Sequence, residues 1–521
     1  MKNFGANSIK SFLKNNYKYL ILFFLLAVLN IFFLCWSFST NGLPFDASFI
    51  ILLIGSIILE IIFCILIFIS KKKEWKIEKT FLILGLIVGF IYVLALPVGR
   101  APDEESHFFR VYELSTGHLV SDVTDEGKIG STESANIEII RDFKENNVTY
   151  GEIIDNLDLY PNEEETFVRT SAYSYNIFSY LPHVIGMLIG RLFNSPLLIS
   201  AYLAKLFNLI SCILILYFSI KFIPFLEKII FFAAFLPVTM QAMASLSPDG
   251  LTIALSIALI SFVLYSIYTL KDIFSKKQLC LLFFLCLFLS MSKIAYAPLC
   301  LLLFSIPKER FGDIKRKILT IFAMGIIVFI ILLTWIIVAP SLQSNGDSSA
   351  QISLILTNPF KYLAIIIRSI SSNASLYISG FLGGYLEWFN IVLSPIYIYS
   401  FFIIFILLCN KENQLYTITK SFKIISIFVS IFITLLIFTT MFVEWTKVGE
   451  TVIDGVQGRY FIPIILFIPT WFLPTKKFNN KLSLTHYSKT LSAKFQQNYY
   501  LYGFLVFESV YAITAIACSH L

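Results

Sequence analysis

YLILFFLLAVLNIFFLCWSF, residues 19–38, is a run of twenty residues without one charge. Coiled as a helix at 1.5 Å per residue it spans a hydrocarbon core of ~30 Å. Runs of this kind recur along all 521 residues. The chain is 57% hydrophobic and 14% charged, with a mean hydropathy of +0.79, where soluble domains carry about 25% charged residues. Apolar windows fall at 19–38, 49–70, 80–98, 197–220, 229–246, 250–270, 278–291, 293–306, 317–339, 388–408, 423–443, 460–474 and 499–518. The fold class expected is all-α, a polytopic transmembrane bundle of about thirteen spans.

Charge tests that count. Residues 101–170 hold 17 Asp/Glu against 5 Lys/Arg, whereas the remainder holds 35 Lys/Arg against 16 Asp/Glu. Lys2, Lys10, Lys14 and Lys18 place the N-terminus in the cytoplasm by the excess of Lys and Arg that cytoplasmic loops carry. By alternation KKKEWKIEK (71–79), Lys221 and Lys228, KDIFSKK (271–277), PKERFGDIKRK (307–317), NKENQ (410–414) and the stretch Lys476 to Lys494 are then inside. The strongest basic runs all lie on one side. The acidic loop 99–196, the loops 340–387 and 444–459, and the turns at 247–249 and 292–293 lie on the other. Two apolar stretches within outer loops, 175–193 and 362–385, are interrupted by Pro182, His183, Arg191 and Arg368. Counting them as spans breaks the alternation, so they read as amphipathic helices on the outer surface.

Basic residues scattered over short loops exclude a nucleic-acid surface. The eight cysteines lie in or beside apolar runs without metal or disulfide spacing, and read as packing residues. The first apolar run is long enough to be an anchor rather than a cleavable signal.

Seven polar motifs stand out: PDEESHFFR (102–110), SYNIFSYLPH (174–183), SLSPDG (245–250), Ser292–Lys293 leading to Tyr296 and Pro298, GFLGGYLEWFN (380–390), VEWTKVGE (443–450) and DGVQGRYFIP (454–463). The topology puts all of them outside, where loops that merely join helices have no need of such chemistry. Asp103 and Glu104 form a carboxylate pair at a membrane boundary, suited to a general base, a metal ligand or a positioning group; the plainer reading is a pair of solvated loop acids. His107 and Arg110 follow on successive helical turns. Asp249 is a candidate site residue or a helix cap. Lys293 is a functional candidate by its depth, or a lysine that snorkels to the interface. Lys205, inside a span, needs a partner; Asn208 is near but uncharged. Arg459, between glycines and Tyr460, offers a fork that matches paired phosphate oxygens, or serves as an interfacial anchor.

At PDEESHFFR, SPD and GVQGRYFIP the chain resembles a large bacterial multi-pass membrane family known as domain of unknown function DUF2142, from about residue 80 to 475. That family in turn resembles the GT-C glycosyltransferases, which include protein O-mannosyltransferases and aminoarabinose transferases. The resemblance implies a GT-C-like core over 79–475, an added two-span segment over 1–78, and a basic loop with a last span over 476–521. It implies transfer of a sugar from a polyprenyl-phosphate carrier to a glycan, lipid or protein acceptor of the cell envelope, outside the membrane. Asp103 would then be the catalytic base or positioning group for the acceptor hydroxyl, and Glu104 would orient it or help hold a divalent ion. Lys293 and Arg459 would bind the lipid phosphate, with His107, Arg110, Asp249, Tyr296 and Tyr460 as further substrate-binding residues. No cofactor is required by the pattern; a divalent cation (Mg or Mn) stays open, two adjacent carboxylates being too few for a dedicated cage. The chain departs from many GT-C members where SAYSYNIFSY replaces a P-P-L-Y-like motif. The competing expectations are a transporter or flippase of lipid-linked saccharide, for which Glu60, Lys205 and Glu508 are the intramembrane charges but no half-repeat is found, and a non-catalytic membrane scaffold.

Overall fold

A computed structural model of the chain describes residues 2–340, 348–476 and 498–521, and it is mostly helical. The lysine-rich stretch expected inside the cell falls largely outside these residues. The chain begins with α1 (Lys2–Thr40), α2 (Ala47–Lys72) and α3 (Ile77–Ala95), then enters the acidic loop through α4 (Glu104–Ser115), α5 (Ile139–Glu145) and α6 (Tyr150–Asp155). Next come α7 (Ile177–Leu192), α8 (Leu197–Phe222), α9 (Glu227–Phe235), α10 (Pro237–Met243), α11 (Asp249–Tyr268), α12 (Lys276–Ser292) and, after a 3₁₀ stretch at Ile294–Ser305, α13 (Ile314–Val338). A second group of short helices holds α14 (Ser348–Thr357), α15 (Pro359–Ser372) and α16 (Ala374–Phe381). The chain then runs through α17 (Pro395–Leu415), α18 (Lys420–Glu444), a 3₁₀ stretch at Gly458–Ile464 and α19 (Phe467–Phe472) to the C-terminal helix Asn498–Ser519.

Among the described residues nine helices are long and apolar enough to cross a membrane, or ten if α14 and α15, bent by 109°, count as one. Each of the nine coincides with an apolar window of the sequence. The other four windows fold as shorter pieces, and proline explains three of them. Window 229–246 breaks at Leu236, because Pro237 has no N–H to give the helix before it and starts α10 instead. Windows 293–306 and 460–474 carry Pro298, and Pro463 with Pro469, and wind as 3₁₀ stretches, the second continuing into α19. Window 278–291 is α12, of 17 residues. A hydropathy window registers apolarity but not the missing hydrogen bonds.

Helix ends gather on two faces. On one, Lys71 Nζ donates to Asn16 Oδ1 (2.7 Å), Thr419 N to the Tyr268 hydroxyl (2.7 Å), and Arg310 to the carbonyls of Ser266 and Lys271. On the other, Leu197 N donates to Leu159 O, Trp335 Nε1 to Ser174 O (2.7 Å), and Tyr150 N to His520 O (2.9 Å). The first face carries the basic loops and the second the polar motifs.

The acidic loop is more built than a connecting loop. An antiparallel sheet in the order β1 (Asp122–Val123), β2 (Ile129–Ser134), β3 (Glu165–Arg169) pairs Gly130 with both Asp122 and Arg169. With α4 and α5 it encloses a core of its own, in which Phe108, Val111, Ile137 and Ile140 are fully buried. Strands of two to six residues leave almost no periodic trace in a sequence. The expected helix at 175–193 is α7. One face lies on α8, where a Cβ at Gly186 or Gly190 would strike Ala204 or Ser200. Leu181, Ile185, Leu188 and Leu192 form the opposite, exposed stripe. The N-terminal pair α1–α2 packs against the C-terminal helix through Phe33 stacked on Tyr511 (4.4 Å) and Asn30 donating to Glu60 Oε1 and Phe507 O.

The polar face is clasped by a buried ion-pair chain. Glu387 accepts from Arg100 (2.9 Å) on one oxygen and pairs with His520 (2.5 Å) on the other, while His520 Nδ1 contacts Val148 O. Glu387 is fully buried and so is shielded from any substitute partner. Glu387→Ala therefore leaves a buried guanidinium unpaired, at a cost of about 3–5 kcal/mol. The expected outcome is a clear fall in the apparent thermal midpoint in detergent; a midpoint unchanged from wild type contradicts the clasp.

Candidate functional site

The turn between α3 and α4 places the first site residue. Glu104 is fully buried, and its Oε2 accepts from the N–H groups of Gly99 (3.1 Å) and Ala101 (3.0 Å). Its Oε1 accepts from Leu246 N (2.9 Å) and lies 4.0 Å from Lys205 Nζ. Lys205, in turn, donates to Leu96 O (2.6 Å). One carboxylate thus ties the turn 96–103 to the segment 245–249. Asp103 is held between these anchors in the left-handed region, φ +59°, a conformation that costs a non-glycine residue ~1–3 kcal/mol.

Segment 245–249 places the second. Asn208 donates to Met243 O (3.0 Å) and Ser245 O (3.2 Å), so the lysine's polar neighbour serves the backbone rather than the lysine. Asp249 opens α11 without capping it; the local cap-like bond is Asp249 N donating to Ser247 Oγ. Its carboxylate instead meets Lys293 Nζ at 2.5 Å and Arg459 Nε at 3.4 Å. Arg459 also approaches Asp103, its terminal nitrogen 3.9 Å from Oδ2. Four charged residues from four separated segments thus meet at the polar face. Arg459 keeps 11% of its side chain exposed and its Nε makes no hydrogen bond. Tyr460 presents its ring 5.1 Å from Lys293 Nζ and 5.4 Å from the Arg459 guanidinium, and its carbonyl accepts from the Tyr296 hydroxyl (2.8 Å). A cleft lined by Asp249, Thr252, Tyr296, Arg459, Tyr460 and Pro463 closes on these charges, with a free volume of about 10 Å³, the room of one water.

Asp103 is the most open of the four, with 36% of its side chain exposed. Burial raises its pKa above the usual carboxylate range; Arg459 pulls it down, Asp249 pushes it up, and Lys293 and Lys144 pull it down further. His107 is buried beneath, sharing a 2.5 Å hydrogen bond between Nδ1 and the Tyr180 hydroxyl. Burial lowers its pKa to about 3, with Asp249 opposing that fall and Lys293, His183 and Arg459 adding to it. It is a neutral imidazole at physiological pH.

Two sequence expectations change here. Glu104, expected as a catalytic residue, has its oxygens occupied by three backbone N–H groups and Lys205, contacts that hold the turn carrying Asp103. Arg110, expected to bind substrate, has its donors turned inward. It is fully buried and donates to Glu113 (2.6 Å), Ser121, Leu119 O and Tyr175 O, bracing the acidic loop. Both are hydrophilic residues inside a core, a placement that sequence spacing does not disclose. Of the three intramembrane charges of the transporter expectation, Lys205 and Glu60 each have a structural partner, and Glu508 is buried in the C-terminal helix. Tyr175 was missed: it lies near enough for Lys293, Asp249, Tyr460 and Asp103 to act on its hydroxyl, whose pKa burial pushes up to about 12. The motif SYNIFSYLPH, with two tyrosines beside the histidine segment, was the available signal.

Among the described residues no group of three or more His, Cys, Asp or Glu side chains is placed to hold a metal ion. Asp249 faces two cations and Asp103 one, so this donor set does not fit a resident divalent ion, which takes several oxygen ligands.

A family model described as predicted membrane protein (DUF2142) matches residues 86–468, well over half of the chain. The chain belongs to that family. The match takes in Asp103, Asp249, Lys293 and Arg459 and leaves α1, α2 and the C-terminal helix outside. The site is therefore part of the family's own core. No curated protein and no solved structure matches the chain.

The Glu104–Lys205 contact yields a test. Lys205→Met leaves a buried carboxylate without its cation, whereas the double change with Glu104→Gln removes both charges and keeps an amide in reach of Leu246 N. The double variant is expected to recover part of the thermal midpoint that Lys205→Met loses, a coupling of about 0.5–3 kcal/mol; strictly additive losses would count against a direct interaction.

Proposed function

We propose that this protein is a membrane glycosyltransferase that moves a sugar from a polyprenyl-phosphate carrier to an acceptor hydroxyl of a cell-envelope glycan, lipid or protein. The observation that carries the reading is the meeting of Asp103, Asp249, Lys293 and Arg459 in one cluster of ion pairs beside a cleft that Asp249 and Arg459 line, with an Arg459 Nε that no hydrogen bond occupies. We read the chain as crossing the membrane thirteen times, the shorter pieces at 227–243, 276–292, 294–305 and 458–472 included. The polar face is then extracytoplasmic and the basic face, with the N-terminus, cytoplasmic; the charge alternation supports this. The exposed stripe of α7 rests on the outer leaflet in this reading. The core is of GT-C type, which the outer carboxylate and the many-span architecture favour.

The chemistry follows from the geometry. A lipid-linked phosphate stays at headgroup depth, where a guanidinium and an ammonium converging on one point match its oxygens. Asp249 holds both cations in place when no donor is bound, and phosphate oxygens take over part of that contact when one is. The acceptor oxygen then attacks the anomeric carbon, its proton passes to the Asp103 carboxylate, and the bond from that carbon to the phosphate oxygen breaks. The electron pair leaves with the carrier phosphate, whose added charge Lys293 and Arg459 neutralise. Tyr296 and Tyr460 wall the donor, and His107, fixed by Tyr180, offers a neutral ring to hydroxyl groups. No step is routed through a divalent cation.

Three outcomes are expected of purified protein in nanodiscs given a labelled polyprenyl-phosphate sugar and followed by carrier release. Asp103→Asn lowers turnover by about 10²–10⁴-fold, and unchanged turnover removes Asp103 from the base role. The base acts only when ionised, so activity falls as pH drops through a value above the ordinary aspartate pKa of ~3.9; an acid limb at or below that value contradicts the raised pKa. Chelation with EDTA leaves release within about twofold of untreated protein, since lysine and arginine supply the cationic charge; strict dependence on added Mg or Mn would overturn that assignment.

A further inference from the structure

A second cavity, of about 450 Å³, opens between α16, α17 and α19. Its walls include Phe381 and Leu382 at the end of α16, Phe402, Phe405 and Ile406 on α17, and Phe472 on α19, with Asn410 further along α17. Phe402, Phe405 and Ile406 share one face of α17, a helix long and apolar enough to span a membrane. The groove therefore runs along a helix axis at hydrocarbon depth. Its near end adjoins the backbone segment that carries Arg459. Gly458, the residue before Arg459, packs so closely on α16 that a Cβ there would collide with Tyr377 O and Phe381 N. The backbone that presents the guanidinium thus touches the backbone that presents the first wall of the groove.

We infer that this groove seats the isoprenoid chain of the carrier whose phosphate lies at Arg459 and Lys293, an inference that rests on the reading of the charged cleft given above. A chain leaving a headgroup at Arg459 descends into the membrane, and the groove begins one residue away and extends in that direction. Within a bilayer, apolarity alone gives no preference for protein over lipid, because the tails are as apolar as leucine; association comes from close packing. The walls supply it. Phe381 and Phe405 set their rings 6.3 Å apart at 69°, and Phe402 and Phe472 add exposed rings. Such phenyl faces pack on the planar, methyl-branched double bonds of a polyprenyl chain better than on a straight saturated acyl chain. The occupant is accordingly the carrier's own tail rather than a bulk phospholipid.

The test uses the full chain in phospholipid nanodiscs and a polyprenyl monophosphate bearing a diazirine on its chain. Irradiation is expected to label 374–382, 395–415 or 467–472, and excess unlabelled polyprenyl phosphate, but not excess phospholipid, to remove the label. Ile406→Trp fills the groove from an exposed position that tolerates bulk, and is expected to weaken binding of the long-chain phosphate at least tenfold. Binding of geranyl monophosphate, too short to reach the filled part, stays within twofold. Label confined to other helices, label removed by phospholipid, or unchanged long-chain affinity in Ile406→Trp overturns the groove. Loss of geranyl monophosphate binding in Arg459→Gln is scored separately: if that loss is absent, the charged cleft itself fails, whatever the groove does.

Discussion

Glu104 has no water to turn to, and the site takes its shape from how the fold satisfies it. A buried carboxylate without hydrogen bonds is too costly to keep, so the chain brings it Gly99 N, Ala101 N, Leu246 N and the ammonium of Lys205. Those contacts draw the end of α3, the start of α4, the middle of α8 and the approach to α11 to a common point. Asp103 and Asp249 project from two of these segments, and both reach Arg459 because Glu104 has joined their backbones. A fully buried residue thus decides where the charged groups stand.

The same economy runs through the polar face. Arg110 braces the acidic loop through Glu113, and Glu387 joins Arg100 to the end of the C-terminal helix. Each of these buried pairs fastens loops that would otherwise be held only by short strands and turns. The cations of the cleft differ in one respect. Lys293 and Arg459 converge on a single carboxylate and stay 22% and 11% exposed, whereas Arg100 and Arg110 are 5% and 0% exposed. Pairs closed off from solvent hold a fold together; a cluster that stays partly open is placed to meet a ligand.

Much of this was legible beforehand, for reasons that can be located. Helices announce themselves through uninterrupted apolar runs, and the nine long ones lie where those runs are. The segregation of lysines from acids gave the two faces, since each loop's charge is local information. The residues that meet in the charged cluster, Asp103, Asp249, Lys293 and Arg459, stood out because polar motifs among apolar spans have few reasons to be there. What was hidden depended on depth and partners. Glu104 beside Asp103 looked like its twin, yet one is fully buried and the other partly open. Arg110 looked available and is not. The sheet in the acidic loop was hidden by the brevity of its strands, and Pro237, Pro298 and Pro463 turned apolar windows into broken or 3₁₀ stretches. Tyr175 and Glu387 act through neighbours distant in sequence, which spacing cannot reveal.

The central claim is one of place: a lipid-borne phosphate binds between Lys293 and Arg459, beside Asp103. It is tested most directly by an experimental structure of the protein in a lipid nanodisc with polyprenyl monophosphate bound. The account predicts phosphate density on the polar face within ~3 Å of Arg459 Nε and Lys293 Nζ, the distance of a charge-assisted hydrogen bond. Phosphate density at the basic face, or anywhere that leaves Arg459 engaged only with Asp249, would contradict it.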